Sequence, residues 1–153
     1  MLVRRQVIEA QEERDGKRMA TLQAWRRLLN MNAKELRGFL ASHGAEAGLS
    51  RSEAAAQGIR SGRDSARAIL RMLDKVGARR PRDVSFERAR EHWTPRDWDW
   101  AERQVRFVRR MQGTARATEA RSGSAYYRDS GAPTRLLLAL NLWGHKPGGR
   151  IAR

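Results

Sequence analysis

Residues 61–76, SGRDSARAILRMLDKV, carry the pattern that most restricts how this chain can fold. At about 100° per residue, the apolar side chains fall on one side of a helix: Ala66, Ile69, Leu70, Leu73 and Val76. Basic residues recur at every fourth position and drift across the other side: Arg63, Arg67, Arg71 and Lys75. The pattern predicts an amphipathic helix with one face to bury and a line of positive charge facing solvent.

The other apolar segments also have helical spacing, and none alternates convincingly as a strand would. Capping patterns mark two helix starts, Asn32-Ala-Lys-Glu35 and Thr94-Pro95. We therefore predict an all-α fold, a compact bundle of about five to seven helices with a long loop before the last helix and a flexible basic tail. The helices 62–76, 95–111 and 134–143 are predicted to form its centre.

Charge and glycine content divide the chain into three parts. Residues 1–16 are predicted as a charged arm or helix that Gly16 interrupts, residues 17–147 as the helical domain, and residues 148–153 as a basic tail. Residues 112–133 are rich in Gly, Ser, Ala and Arg and are predicted as a loop. A loop of this length inside a compact domain is usually functional.

The chain contains 32 Lys and Arg against 17 Asp and Glu, which gives a formal net charge of +15. Such a charge attracts polyanions, of which nucleic acid is the most abundant, and DNA is preferred here to RNA. The absence of cysteine excludes disulfides and thiolate metal sites. The longest apolar run, Leu136–Leu140, is too short to span a membrane, so no membrane partner is expected.

Two lines of basic residues are the candidate binding surface. The first consists of Arg60, Arg63, Arg67, Arg71, Lys75, Arg79, Arg80 and Arg82, and the second of Arg103, Arg106, Arg109 and Arg110. Arginines four apart on a helix repeat about every 6 Å, close to the phosphate spacing along one nucleic-acid strand. Alternatively, Arg67 and Arg71 pair with Asp64 or Asp74 on their own helix.

Two adjacent tyrosines, Tyr126 and Tyr127, lie within the predicted loop between Arg121 and Arg128. Aromatic rings beside arginines can stack on unpaired bases. The same rings could instead anchor the loop to the core. Both interpretations stay open at the level of sequence.

Residues 50–72 read as two helices joined by a tight turn, which invites comparison with a helix-turn-helix. Ala54 and Gly58 have the spacing that lets two helices cross closely, but Asp64 and Arg67 occupy positions where apolar residues are expected. The segment is either a DNA-reading unit or an ordinary αα-hairpin.

No phosphate loop, nucleophile–base pair or metal-ligand motif is evident, so we predict no catalytic activity, no metal and no cofactor. Asp97 and Asp99 with Glu102 could bind Mg²⁺ in a nuclease, although the first two also suit the start of a helix. The acidic pair Glu87 and Glu91 beside His92 is more simply a solvated patch.

Short motifs spread along the chain from Leu49 onward. In order they are Ser52-Glu53-Ala54, Gly58-Ile59-x-Ser61-Gly62-Arg63, Ser65-Ala66-Arg67, Trp98, Trp100-Ala101, Arg103-Gln104-x-x-Phe107-x-x-Arg110-Met111-x-Gly113, Pro133-Thr134-Arg135, Leu138, Leu140 and Trp143-Gly144-His145-x-Pro147. In combination they resemble a group of small phage- and prophage-encoded proteins, with a departure at residues 123–129. The resemblance implies a phage setting, in the cytoplasm of a bacterial host or in a virion, and supplies no activity.

Together these features predict a non-enzymatic nucleic-acid-binding phage protein that contacts the phosphate backbone through arginine-lined helices. The alternative is a protein–protein interaction factor, a host-protein modulator or virion component that docks on an acidic surface. A metal-dependent nuclease built on Asp97 and Glu102 is a third hypothesis.

Overall fold

The computed structural model describes residues 2–43, 51–56 and 61–153, which form α-helices and no β-strand. The helices are α1 (Leu2–Leu28), α2 (Ala33–His43), α3 (Arg51–Ala56), α4 (Gly62–Lys75), α5 (Phe86–His92), α6 (Pro95–Ser122) and α7 (Arg135–Leu142). Short 3₁₀ turns cover Pro81–Asp83 and Pro147–Gly149. The predicted all-α class is confirmed.

The helix predicted at 61–76 is present as α4. Its N-cap is Ser61, whose hydroxyl accepts a hydrogen bond from the Asp64 backbone at 3.2 Å. The predicted apolar face is turned inward, with Ala66, Ile69 and Leu73 at most 1% exposed. Burial of this face against α2, α6 and α7 makes α4 a central element of the bundle.

A buried polar contact ties α1, α4 and α6 together. Trp25 Nε1 donates to Gln104 Oε1 at 2.7 Å, and Gln104 Nε2 donates to the carbonyl and hydroxyl oxygens of Ser65 at 3.3 and 3.2 Å. Because Gln104 is fully buried, each of these groups needs its partner. Four tryptophans also belong to the core, since Trp25, Trp98, Trp100 and Trp143 are all buried.

The expected interruption at Gly16 is wrong, since α1 continues through it. A glycine costs a helix only about 1 kcal/mol relative to alanine. Tertiary contacts hold the helix on both sides, because Leu22 and Trp25 are buried and Asp15 pairs with Arg90 of α5 at 3.2 Å.

The predicted loop over 112–133 is also wrong in its first half, because α6 continues to Ser122 and ends at Gly123 with φ +79°. Within residues 112–122, Ala115 is 2% exposed and packs inward. The hydroxyls of Thr114, Thr118 and Ser122 donate to carbonyls one turn earlier, so they do not break the helix. Only residues 123–134 connect α6 to α7.

The tail predicted as flexible is held to the bundle by Asn141, a buried residue of α7. Its Nδ2 donates to the carbonyls of His145 and Arg150, both at 3.0 Å, and its Oδ1 accepts from the Ala152 backbone at 2.9 Å. The C-terminal segment therefore packs back on the α7 end of the molecule.

Candidate nucleic-acid interface

The first basic line does not stand free of acidic groups. Arg67 lies 3.8 Å from Asp64, as one of the alternatives proposed, whereas Arg71 lies 3.8 Å from Asp97 of α6 and not beside Asp74. Lys75 Nζ is 2.5 Å from Asp97 Oδ2. Arg63 is partly buried near the start of α4, and Arg60 lies outside the described residues.

Asp97 accounts for most of this neutralisation. It is 1% exposed, at the N3 position of α6, and its Oδ2 also accepts from the backbone and hydroxyl of Thr94. Burial by itself raises the pKa of Asp97, but the hydrogen bonds from Lys75 and Thr94 outweigh it and hold the pKa below the ordinary value. Asp97 therefore stays charged and withdraws Lys75 from the candidate surface.

The second basic line is divided. Arg103 pairs with Asp99 at 2.9 Å, and Arg106 lies 3.9 Å from Glu102. Arg109 and Arg110 are exposed, and no carboxylate of the described residues lies within 4 Å of either. The Arg110 guanidinium lies over the Phe107 ring at 5.6 Å. Along α6, Arg109 is therefore the first arginine of the second basic line that has no described carboxylate within 4 Å.

The extra turns of α6 add cations that the sequence reading left out of the candidate surface. Arg116 and Arg121 are exposed on residues 112–122, where Glu119 is the only acidic residue. No described carboxylate lies within 4 Å of either arginine. The predicted binding lines omit these two arginines, because a loop is predicted over 112–133 and residues of an irregular loop cannot be assigned to a helix surface.

A shallow groove runs between α1 and α6. It is lined by the small apolar residues Ala20, Ala24 and Val105 and by Lys17 on α1 and Glu102, Arg106 and Arg109 on α6. Two packed helices therefore carry basic side chains along one groove, which includes Arg106 and Arg109 of the second predicted line.

The two tyrosines have separate environments. Tyr126 is partly buried and packs against the core, with the Arg150 guanidinium 5.4 Å from its ring. Burial, with Glu119 nearby, raises the pKa of Tyr126. Tyr127 is 38% exposed and makes an isolated backbone bridge to Pro133, and Arg128 beside it is exposed. Tyr126 thus anchors the connection, and Tyr127 is the more exposed of the two rings.

The linker between α4 and α5 carries the remaining predicted cations. Arg79 and Arg80 are exposed with no described carboxylate within 4 Å, and Arg82 is 3.9 Å from Asp83. The Arg79 carbonyl accepts from the Ala33 backbone at 2.8 Å, which fixes the linker against the start of α2.

The acidic residues considered for catalysis are occupied by other partners. Asp97 bonds to Lys75 and Thr94, Asp99 pairs with Arg103, and Glu102 lies near Arg106. Among the described residues, no group of three or more His, Asp or Glu is placed to hold a metal ion. Residues 57–60, which include Gly58 and most of the turn of the suggested helix-turn-helix, lie outside those residues.

Comparisons with protein families, curated proteins and solved structures gave no match to this chain. Within the described ranges, no helix is long and apolar enough to cross a membrane.

Proposed function

We propose that this chain is a non-enzymatic nucleic-acid-binding protein of phage origin that contacts phosphates through α6 and the 79–82 linker. One observation carries the proposal: between Arg109 and Arg121, α6 has four exposed arginines without a described carboxylate within 4 Å. The members are Arg109, Arg110, Arg116 and Arg121. We name them the α6 arginines.

Cations without a neighbouring carboxylate are the ones that matter for a polyanion. A guanidinium already paired with an acid must give up that contact to bind phosphate, whereas the α6 arginines have no ion pair with a described carboxylate to break. Guanidinium forks match phosphate oxygens in pairs. Because phosphate contacts position a protein on nucleic acid without reading its sequence, the expected binding is to the backbone, with DNA preferred and little base selectivity. Exposed Tyr127 adds a ring for stacking on single strands.

The test is the affinity for a labelled DNA duplex and for the matching single strand, measured by fluorescence anisotropy over a salt series. Each phosphate contact contributes about −0.9 to the slope of log affinity against log salt for duplex DNA. We expect a steep slope, corresponding to several contacts. An affinity that does not change between low and moderate salt would contradict the proposal.

A second candidate function, docking on another protein, is favoured by the N-terminal half of α1. Val3, Val7 and Ile8 are 73%, 64% and 51% exposed. Three apolar side chains that face solvent on one stretch of helix are typical of a surface that binds another protein. Capture of one stoichiometric protein partner that Val7→Glu abolishes, together with no retention of nucleic acid, would favour this function over the first.

A further inference from the structure

A cavity of about 230 Å³ lies where distant parts of the chain meet. Its wall combines α1, the α1–α2 connection, the 79–82 linker and the C-terminal segment. Four basic side chains line it: Arg26, Arg80, Arg82 and Lys146. Glu35 is the one acidic residue among the described lining residues.

Contacts within the protein hold several of these groups in place. Arg26 Nη2 donates to the Arg82 carbonyl at 2.8 Å. The Lys146 backbone N–H donates to Asn30 Oδ1 at 2.7 Å, and Asn30 Nδ2 donates to the Lys146 carbonyl at 3.1 Å. The cavity is therefore built by the fold and does not depend on a ligand for its shape.

The charges around the cavity do not balance. Lys146 Nζ donates to Glu35 Oε2 at 2.8 Å, and Glu35 Oε1 accepts from the Asn32 backbone. Burial by itself raises the pKa of Glu35, but the hydrogen bond from Asn32 and the charges of Lys146 and Arg80 outweigh this effect and hold the pKa below its ordinary value. Glu35 therefore stays ionised and neutralises one cation. Arg26 and Arg80 have no described carboxylate within 4 Å.

We infer that this cavity binds a phosphate group. Its volume is below the ~300 Å³ at which sites for drug-sized molecules begin, yet several times the ~30 Å³ share of one water molecule. A small tetrahedral anion fits these limits. Paired N–H donors from Arg26 and Arg80 supply the charge-assisted hydrogen bonds that phosphate oxygens accept.

The phosphate comes either from a nucleic-acid backbone or from a small free phosphate compound. Arg80 belongs both to the cavity and to the proposed nucleic-acid surface. The inference rests on the proposed function for the first source and is independent of it for the second.

The first experiment uses inorganic phosphate alone, without nucleic acid. Thermal unfolding is followed in phosphate and in chloride at equal ionic strength for the full chain, R26Q, R80Q and R37Q. Arg37 is exposed on α2 and does not line the cavity, so R37Q removes the same charge elsewhere. We expect phosphate to raise Tm in the wild-type protein and in R37Q, and the rise to be lost in R26Q and R80Q.

An equal rise in all four proteins, or none in any, overturns the inference. R26Q also removes the bond to the Arg82 carbonyl, so its near-ultraviolet circular dichroism is compared with the wild-type spectrum. Arg80 has no side-chain hydrogen bond to a described residue, and R80Q keeps the test decisive if R26Q does not fold.

The second experiment measures duplex affinity for the same proteins. A larger loss in R26Q and R80Q than in R37Q assigns the phosphate to nucleic acid. Equal affinities together with a lost phosphate-induced Tm rise assign it to a free phosphate compound. If no protein binds the duplex, the proposed function fails, and the Tm result still decides the cavity.

Discussion

The ammonium of Lys75, the last residue of α4, lies 2.5 Å from the carboxylate of Asp97, in the first turn of α6. The contact joins two helices that run antiparallel, since Ser65 meets Gln104 further along the same pair. Asp97 serves at the same time as the capping-box partner of Thr94. One buried carboxylate therefore caps a helix, fixes the register of two helices and cancels a cation of the predicted binding line.

Replacing Asp97 by Asn is expected to lower the free energy of unfolding by about 2 kcal/mol or more. Breaking one partner of a fully buried ion pair costs ~3–5 kcal/mol, and the partly exposed Lys75 reduces that figure. Urea denaturation measures the change, with Asp74→Asn as the control because Asp74 is exposed on α4 and loses the same charge. Equal stabilities for the two variants would show that the contact contributes nothing.

Stability should also fall in acid because of Asp97. Its folded-state pKa is lowered, so its contribution is complete above the ordinary value of 3.8 and is lost as the pH falls through the lower folded-state pKa. The wild-type protein should lose more stability than Asp97→Asn over that interval when both are denatured in urea at a series of acidic pH values.

Replacing Gly144 by Ala is expected to destabilise the protein more than replacing Gly123 by Ala. Both glycines have positive φ, +86° and +79°, so both variants carry the same backbone cost of roughly 1 kcal/mol. A Cβ on Gly144 would also lie 2.9 Å from Ile69 Cδ1, whereas nothing lies within 4 Å of one on Gly123. The difference in unfolding free energy should be about 1–3 kcal/mol, the usual cost of overpacking.

His145 should make the fold less stable below neutral pH. Its Nδ1 lies 2.6 Å from the Leu28 carbonyl oxygen and so acts as donor, and burial lowers its pKa although this hydrogen bond opposes the shift. The unfolded chain therefore binds a proton near pH 6.5 before the folded protein does. Stability is full above that pH and decreases as the pH falls toward the lower folded-state pKa.

The measurement compares unfolding free energies at pH values on either side of 6.5 for the wild-type protein and His145→Gln. The glutamine variant has no proton to gain at this position. Its loss of stability on acidification should be smaller than that of the wild-type protein. An identical loss in both would show that His145 does not contribute to the pH dependence.

Replacing Arg109 and Arg110 together by Gln should weaken duplex binding and flatten its salt dependence. Each lost phosphate contact removes about 0.9 from the slope of log affinity against log salt. Replacing Arg103 and Arg106 together by Gln is the control that removes the same charge, because Arg103 is engaged with Asp99 at 2.9 Å and Arg106 lies 3.9 Å from Glu102, so this pair should change the slope less. A larger effect of the control pair than of the Arg109 and Arg110 variant would contradict the assignment of the interface to the α6 arginines.

Local signals in the sequence located the helices well where capping and apolar spacing agreed. Thr94 and Pro95 marked the start of α6, and Ile69 and Leu73 marked the buried face of α4. The end of α6 was missed, because β-branched polar residues such as Thr114 have a low helix propensity and the burial of Ala115 is a tertiary effect. At Gly16 the sequence predicted an end that does not exist. The cost of one glycine in a helix is small compared with the stabilisation from the contacts that α1 makes on both sides of it.

The sequence by itself determined an all-helical fold, its capped helix starts, the buried face of α4 and a large positive charge, since each follows from composition or from near neighbours in the chain. Tertiary structure decided which cations remain available. Lys75 meets Asp97 across 22 positions and Lys146 meets Glu35 across 111, and neither pairing has a local signal. Coulomb interactions depend on distance in space. Only the folded chain therefore separates the neutralised basic line on α4 from the available arginines on α6 and at the cavity of Arg26 and Arg80.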